Sequence, residues 1–140
     1  MGRVRRGVLA AVLAAACPLS GCAERVTLMV LNETAAPMKC QVMFARWVER
    51  TTDPIPPDSP LVIAFQRQLE DGALFMFGDD GQRMMVENLF CGPEEEWWRQ
   101  RRDIPLLPLR SQRGLEFAAI CRMDQRFDCR GPVDVPQSRR

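Results

Sequence analysis

Apolar and polar residues alternate along most of the chain after residue 25, with a period of two. Because successive side chains of a strand point to opposite faces, this alternation predicts strands that each bury one face. Three such runs are clearest, at 26–31, 38–46 and 115–121. The residues that they place on one face are Val26, Leu28 and Val30, then Cys40, Val42 and Phe44, and last Leu115, Phe117, Ala119 and Cys121.

Two Asp-Gly pairs divide the segment 61–90 into three β-rich runs. Asp71-Gly72 separates the first run from the second, and Asp80-Gly81 separates the second from the third. Glycine readily adopts the positive φ values that tight hairpin turns require. The segment is therefore predicted to be a three-stranded antiparallel meander.

A single helix is predicted at 93–102. Pro93 suits the first helical position, where the N–H that proline lacks would have no partner within the helix. Acidic residues open this segment and basic residues close it, which matches the helix dipole. These residues are Glu94, Glu95, Glu96, Arg99, Arg101 and Arg102. Pro105 and Pro108 then restrict the following segment to an edge strand or an extended chain.

Six or seven short strands with one short helix make the predicted fold mainly β. The sequence predicts an antiparallel two-sheet sandwich, Ig-like or transthyretin-like, over residues 26–129. A small closed β-barrel is the alternative. Residues 130–140 are rich in Gly, Pro, Gln, Ser and Arg, which predicts a flexible tail.

The first 21 residues have the pattern of an export signal. Arg3, Arg5 and Arg6 form a basic start, and the 13 residues of 7–19 carry no charge. A helix needs roughly 20 apolar residues to cross a bilayer, so this run is too short to span one. A basic start followed by a short apolar run is typical of a signal peptide that is removed from the mature protein.

The apolar run ends in Leu19-Ser20-Gly21-Cys22, which resembles the lipobox of bacterial lipoproteins. The resemblance covers residues 1–22. It implies cleavage before Cys22, which gains a diacylglyceryl thioether and an N-acyl chain, so that residues 22–25 form a lipidated N-terminus. Several acyl chains hold a protein firmly on a membrane. In enterobacterial lipoproteins an Asp after the cysteine favours the inner membrane, so Ala23 is compatible with the outer membrane, facing the periplasm.

The chain has six cysteines. Cys17 lies in the signal and Cys22 is the predicted lipidation site, which leaves four in the mature domain. They are Cys40, Cys91, Cys121 and Cys129. An even number in a small exported domain predicts two disulfides, for which three connectivities exist. A local bridge between Cys121 and Cys129 would leave Cys40 with Cys91. A zinc site is the rival use, but the four lack the C-x₂₋₄-C spacing of zinc ligands.

The sequence offers few groups for catalysis, metal binding or nucleic-acid binding. It contains no histidine, the commonest general base and metal ligand. Once the signal is removed, 16 basic residues stand against 18 acidic ones, without the basic stripe typical of nucleic-acid binding. Methionine thioethers bind Cu(I), but the methionines are spread over several predicted strands, which favours core packing. No enzyme activity, cofactor or metal site is predicted.

Trp97 and Trp98, with Arg101 and Arg102, form the candidate partner surface. Adjacent helix positions point about 100° apart, so a short surface helix can bury only one of two neighbouring tryptophans fully. The arginines lie four residues further on, within reach of cation–π contact. Exposed tryptophan and arginine are enriched at binding hot spots. The alternative is that both tryptophans cap one end of the sandwich.

Together these features predict a membrane-anchored envelope lipoprotein that acts as a non-enzymatic protein-binding or assembly module. Its expected partners are the membrane, through the lipid on Cys22, and another envelope protein. A periplasmic protein that binds a small ligand or copper is the alternative.

Overall fold

The computed structural model describes residues 21–136, which form a mainly β domain, as the sequence predicts. Nine strands account for most of the described range, and its helices are short. The strands are β1 (Ala23–Asn32), β2 (Met38–Phe44), β3 (Glu49–Thr51), β4 (Ser59–Gln68), β5 (Leu74–Phe77), β6 (Arg83–Pro93), β7 (Arg102–Asp103), β8 (Glu116–Met123) and β9 (Phe127–Asp134). The helices are α1 (Trp97–Gln100), α2 (Leu107–Ser111) and a 3-10 turn at Ala45–Trp47.

The strands of residues 21–136 form one continuous sheet in the order β3-β2-β6-β5-β4-β1-β8-β9, with β7 paired to β6. All pairs are antiparallel except β1 with β8, which is parallel. The long strand β6 joins two halves of the sheet, because residues 83–85 pair with β5 and residues 86–93 pair with β2. Two separate sheets, as in the predicted sandwich, are therefore not confirmed. The sheet does not close on itself, so the barrel alternative is wrong.

One hydrophobic core lies against the inner face of this sheet. The predicted inner faces of β1, β2 and β8 are buried there, together with Phe65 of β4 and Leu89 of β6. Leu115 is the exception, because it precedes β8 and is exposed. Strand β9, at one end of the strand order, contacts β6 and β7 near the other end. The sheet therefore curls around a single core that both of its halves share.

The meander predicted for 61–90 is confirmed, since β4, β5 and β6 are antiparallel neighbours in chain order. Gly72 and Gly81 lie in the connecting turns with φ values of 74° and 77°. Other residues enter this left-handed region only at a cost. Gly72 meets a second constraint, because a Cβ atom there would lie 2.4 Å from the backbone oxygen of Arg110.

The helix predicted at 93–102 is wrong in extent, because α1 is a single turn of four residues. Pro93 still belongs to β6, where it lies opposite Met38. The N–H of Glu94 then donates to the carbonyl oxygen of Pro37 at 3.0 Å. Glu96 has a left-handed φ of 64°, which prevents a continuous helix through this position. Pairing with β2 thus overrides a charge pattern that favours a longer helix.

The segment around Pro108 also differs from the edge strand or extended chain that the sequence predicts. Residues 107–111 form α2, and Pro108 lies in its first turn. A proline there loses no hydrogen bond, since the first N–H groups of a helix have no partner within it. Leu109 is fully buried in the core and holds α2 against the sheet.

Strand β9 continues to Asp134, so the flexible tail predicted at 130–140 is wrong for its first residues. Val133 pairs with Ala118 of β8, and a bulge interrupts this pairing between Ala118 and Ile120. Gly131 has a φ of 101°, and a Cβ atom there would lie 2.7 Å from the oxygen of Ala118. Glycine therefore keeps the strand paired at this position instead of ending it. Residues 137–140 lie outside the described range.

Both predicted disulfides and their connectivity are confirmed. Cys40 and Cys91 are bonded with an S–S distance of 2.03 Å, and Cys121 and Cys129 with 2.06 Å. Each bond joins residues that lie directly opposite one another on neighbouring antiparallel strands. The first ties β2 to β6 and the second ties β8 to β9, so each half of the curled sheet carries one disulfide.

Candidate functional site

The two adjacent tryptophans of α1 have opposite environments. The side chain of Trp97 is 6% exposed and that of Trp98 is 78% exposed. Trp97 lies against the domain, with the ammonium group of Lys39 4.9 Å from the centre of its ring. Trp97 is therefore a structural residue, and Trp98 is the one that is available to a partner.

Trp98 forms a layered arrangement with one arginine and a second aromatic ring. The guanidinium of Arg101 lies 4.8 Å from the centre of the Trp98 ring and 5.0 Å from that of Phe90. Each contact is within cation–π range. Gly92 permits the close approach, because a Cβ atom there would lie 2.8 Å from the Cα atom of Arg101. We call the residues Phe90, Trp98 and Arg101 the Trp98 surface.

The predicted role of Arg102 in this surface has no support from the ring contacts of residues 21–136. Arg102 lies in β7, opposite Cys91, and is half-buried. The cation–π contact of the Trp98 ring comes from Arg101, three residues further on. Because α1 ends at Gln100, the spacing of four residues that a longer helix would give does not apply.

The position of the Trp98 surface is fixed by contacts on both sides of α1. The side-chain oxygen of Gln100 accepts a hydrogen bond from the N–H of Phe127 at 3.1 Å, and Phe127 is fully buried. The carbonyl oxygen of Trp97 accepts the N–H of Arg101 at 3.0 Å. A single helical turn is not stable alone, so these contacts and the burial of Trp97 hold it in place.

Charged residues surround the Trp98 surface. Glu94, Glu95 and Glu96 precede it and are exposed. Glu96 accepts a short hydrogen bond from Gln100 and lies 3.9 Å from Arg99. These are exposed interactions that stabilise little. These charged neighbours leave the Trp98 ring uncovered.

An ion pair between buried Arg67 and half-buried Glu24, not recognised from the sequence, joins β1, β4 and α2. Arg67 is almost fully buried, and its guanidinium donates to Glu24 at 2.8 Å through Nε. The same group donates to the carbonyl oxygens of Leu109 and Gln112, each at 2.7 Å. All three nitrogens of the guanidinium are thus hydrogen-bonded within the fold, which makes this pair a structural element.

A second ion pair is exposed, between Arg122 of β8 and Glu33, at 2.5 Å. The hydrogen bond from Arg122 to the Glu33 carboxylate, followed by its charge, raises the pKa of Arg122. Since arginine is protonated in any case, this pair offers no proton for chemistry.

The candidate metal ligands among the described residues are acidic and cysteine side chains and the methionine thioethers. Within 21–136 there is no group of three or more His, Cys, Asp or Glu side chains that could hold a metal ion. Met76 and Met84 lie opposite one another on β5 and β6, and both are partly buried against the core. Met38 is buried in the core, whereas Met29 and Met123 are exposed on other strands.

The lipidation site predicted at Cys22 stands directly before β1. Its carbonyl oxygen accepts the N–H of Leu69 at 3.0 Å. The signal peptide predicted at 1–21 lies outside the described residues except for Gly21.

Sequence reasoning did not single out Trp47, which is 91% exposed. It follows Arg46 at the turn between β2 and β3, where the sequence predicted a continuing strand up to residue 46. The signal that could have found it is a large aromatic between charged residues, Arg46 and Glu49, just outside the alternating pattern.

No helix among residues 21–136 is both long and apolar enough to cross a membrane. Comparison with known protein families gives no match, and no curated protein is similar to the chain. Among solved structures, the chain is similar to a protein from Eubacterium rectale whose structure was determined by NMR, with a TM-score of 0.46 and 10% identity. The likeness covers 82% of this chain and 94% of that chain. At this level it supports no conclusion about function.

Proposed function

We propose that the chain is a lipid-anchored protein of the bacterial cell envelope, held by acyl chains on Cys22, that binds another envelope protein through the Trp98 surface. The lipobox-like residues 19–22 and the basic, then apolar, signal pattern before them support this cellular location. The exposed Trp98 ring, stacked on Arg101, supports the binding role. No part of this proposal requires catalysis, and the outer membrane, facing the periplasm, is the proposed location.

The observation that carries the binding role is the contrast between Trp98 and Trp97. A tryptophan that is mostly exposed loses the burial that normally favours such a large apolar side chain. Trp98 is also held in place, because α1 is fixed by Trp97 and Gln100. A rigid aromatic pays little conformational entropy when a partner covers it, which suits a residue that inserts into a pocket of another protein.

Site-specific photo-crosslinking in cells tests the binding role. A photoreactive amino acid at position 98 should give one discrete covalent adduct with an envelope protein. The same amino acid at position 107, where Leu107 is also exposed, is the matched control and should not give that adduct. Replacement of Arg101 by alanine should reduce the adduct from position 98, because Arg101 is itself part of the Trp98 surface that the partner is proposed to cover. An equal adduct pattern from both positions would contradict a specific site at Trp98.

A further inference from the structure

No linker separates the proposed lipidation site, Cys22, from the first strand of the domain. Strand β1 begins at Ala23, immediately after Cys22, and pairs at once with the end of β4. The N–H of Leu69, which follows β4, donates to the carbonyl oxygen of Cys22. A chain spans at most about 3.6 Å per residue, so a lipid on Cys22 would keep this end of the domain against the membrane surface.

Two further elements lie near Cys22. The guanidinium of Arg83, at the start of β6, lies 3.5 Å from the carbonyl oxygen of Gly21. Cleavage removes Gly21, but this contact places Arg83 within side-chain reach of the proposed N-terminus. Arg83 also lines a surface cavity together with Arg46 and Val48. The turn between β2 and β3 is therefore on the same side of the molecule as the proposed lipid.

That turn projects apolar side chains into solvent. Trp47 is 91% exposed, and its neighbour Val48 is 49% exposed. Leu69, beside Cys22, is 51% exposed. The hydrogen bond from the N–H of Phe44 to the oxygen of Val48, at 2.7 Å, closes the turn. We call Arg46, Trp47, Val48 and Leu69 the anchor-side surface.

The backbone of the turn is strained. Arg46 and Trp47 have φ values of 66° and 64°, in the left-handed region that residues with a Cβ atom rarely occupy. Two consecutive non-glycine residues there cost free energy that neither side chain recovers by burial, since both are exposed. Strained backbone conformations of this kind are concentrated at functional sites, where they hold a side chain in a particular position. In this turn the strained backbone holds the Trp47 side chain in solvent.

The chemistry of the surface matches a membrane interface. Tryptophan is enriched at the level of the lipid headgroups, where its ring is partly apolar and its N–H is polar. Arg46 and Arg83 carry positive charge beside it, and Asp80 is the acidic residue that lines the same cavity. Basic side chains close to a membrane are attracted to anionic lipids. A cationic aromatic turn next to a lipid-modified residue thus fits a bilayer.

We propose that the anchor-side surface rests in the interface of the membrane that holds the acyl chains of Cys22, with the Trp47 ring at headgroup depth. This rests on the proposed lipidation and adds an orientation to it. Trp98 then lies toward the periplasm. The helix α1 follows Pro93, which pairs with Met38, and Met38 begins β2 one short turn after β1 ends, so α1 lies at the opposite end of β1 from Cys22. Of the two exposed tryptophans, Trp47 would thus contact lipid and Trp98 would contact a protein partner.

Quenching of tryptophan fluorescence by brominated lipids tests this orientation. The lipidated chain, purified from membranes, is reconstituted into vesicles of phosphatidylethanolamine and phosphatidylglycerol with or without bromine on the acyl chains. The variant Trp98→Phe keeps Trp47 as its exposed tryptophan, and the variant Trp47→Phe keeps Trp98. Both retain buried Trp97, so they are matched. We expect brominated lipid to reduce the emission of the Trp47-containing variant, because tryptophan at headgroup depth lies close to the acyl chains, and to leave the emission of the other variant nearly unchanged.

Flotation of the vesicles and the mass of the N-terminal peptide separate this proposal from the lipidation on which it rests. A chain that carries the lipid mass and floats, but whose Trp47 emission is not quenched, overturns the orientation and leaves the lipidation standing. Equal quenching of the two variants overturns it as well. A chain without the lipid mass overturns both proposals. A protein adduct from a photoreactive residue at position 47, in place of lipid quenching, would assign the surface to a protein partner and overturn the membrane contact.

Discussion

Neighbouring residues in this protein have very different energetic roles. Trp97 and Trp98 are covalently adjacent and chemically identical, but the first is buried beside Lys39 and the second is exposed over Arg101. Arg46 and Trp47 form a comparable pair, whose shared left-handed backbone turns the tryptophan away from the core. At this scale, the chemical type of a side chain determines which contacts it can form, and its solvent exposure determines whether those contacts are made within the fold or are available to a partner.

Replacement of the two α1 tryptophans by alanine should have unequal effects on stability. Trp97→Ala removes a buried ring and should lower the free energy of unfolding by about 3–5 kcal/mol. Trp98→Ala removes an exposed ring and one cation–π contact, so its cost should be below ~1 kcal/mol. Chemical denaturation of both variants measures the difference. Equal losses would mean that the two rings are both structural, which the observed exposures contradict.

At the scale of elements, hairpins and disulfides hold the curled sheet together. The turns at Gly72 and Gly81 set the meander, and the bonds Cys40–Cys91 and Cys121–Cys129 cross neighbouring strands. The single turn α1 is stable only because both of its sides are held by tertiary contacts. The hairpins of the meander are therefore stabilised by turns that are local in sequence, whereas α1 depends on contacts with residues far away in the chain.

The two turn glycines should respond differently to alanine. Gly81 has open space around its α-carbon, so Gly81→Ala should cost only the left-handed backbone, about 1 kcal/mol. Gly72→Ala carries the same cost and in addition drives a methyl group against the oxygen of Arg110, so it should lose more than about 2 kcal/mol. Urea denaturation of the two variants measures the loss of unfolding free energy caused by each substitution. A Gly72 variant as stable as the Gly81 variant would mean that α2 shifts without cost.

The two disulfides should differ in what they contribute, because they close loops of different length. Cys40 and Cys91 are 51 residues apart, whereas Cys121 and Cys129 are 8 apart. Constraint of the unfolded chain predicts a contribution of about 4 kcal/mol for the first and about 2.5 kcal/mol for the second. Paired replacement by alanine, followed by thermal unfolding, compares them. A greater loss for the short loop would show that native packing outweighs chain entropy here.

At the scale of the whole molecule, the curled sheet separates the proposed lipid from the proposed protein-binding surface. Cys22 directly precedes β1 and lies beside Leu69, whereas Trp98 lies in α1, which follows the end of β6 at Pro93. A rigid domain without a tether at the lipid would hold the Trp98 surface at a fixed height above the membrane. This geometry suits a protein that must meet a membrane-bound partner in one orientation.

The lipidation proposal makes one prediction for the intact precursor. Cys22→Ser removes the thiol that accepts the diacylglyceryl group, so incorporation of a fatty-acid probe should be lost and unprocessed precursor should accumulate. Pulse labelling and gel migration measure both effects. Cys17→Ser, inside the signal, is the matched control and should still be labelled and processed. Labelling of the Cys22 variant at the wild-type level would rule out this site.

The sequence by itself determined the features that depend on neighbouring residues. Alternation at Val26, Leu28 and Val30 gave the buried face of β1, and the Asp-Gly pairs gave the meander, because both effects act over a few residues. The spacing of the cysteines favoured a local bridge between Cys121 and Cys129, but it left three connectivities open, and the strand register of the fold decided between them. Two adjacent tryptophans on the predicted helix favoured exposure of at least one of them, while burial of both at one end of the sandwich stayed open as the alternative.

Only the tertiary structure decided which distant segments share backbone hydrogen bonds. The charge pattern at 93–102 favours a long helix, but pairing of Pro93 and its neighbours with β2 takes up this backbone first. Gly131 keeps β9 paired where composition suggested a tail, and the parallel contact of β1 with β8 has no local signal. The exposure of Trp47 likewise depends on a turn closed from Phe44 to Val48. Helical and strand hydrogen bonds use the same backbone N–H and C=O groups, so a segment can form only one of them. Which one forms depends on the partners that the whole fold brings to the segment.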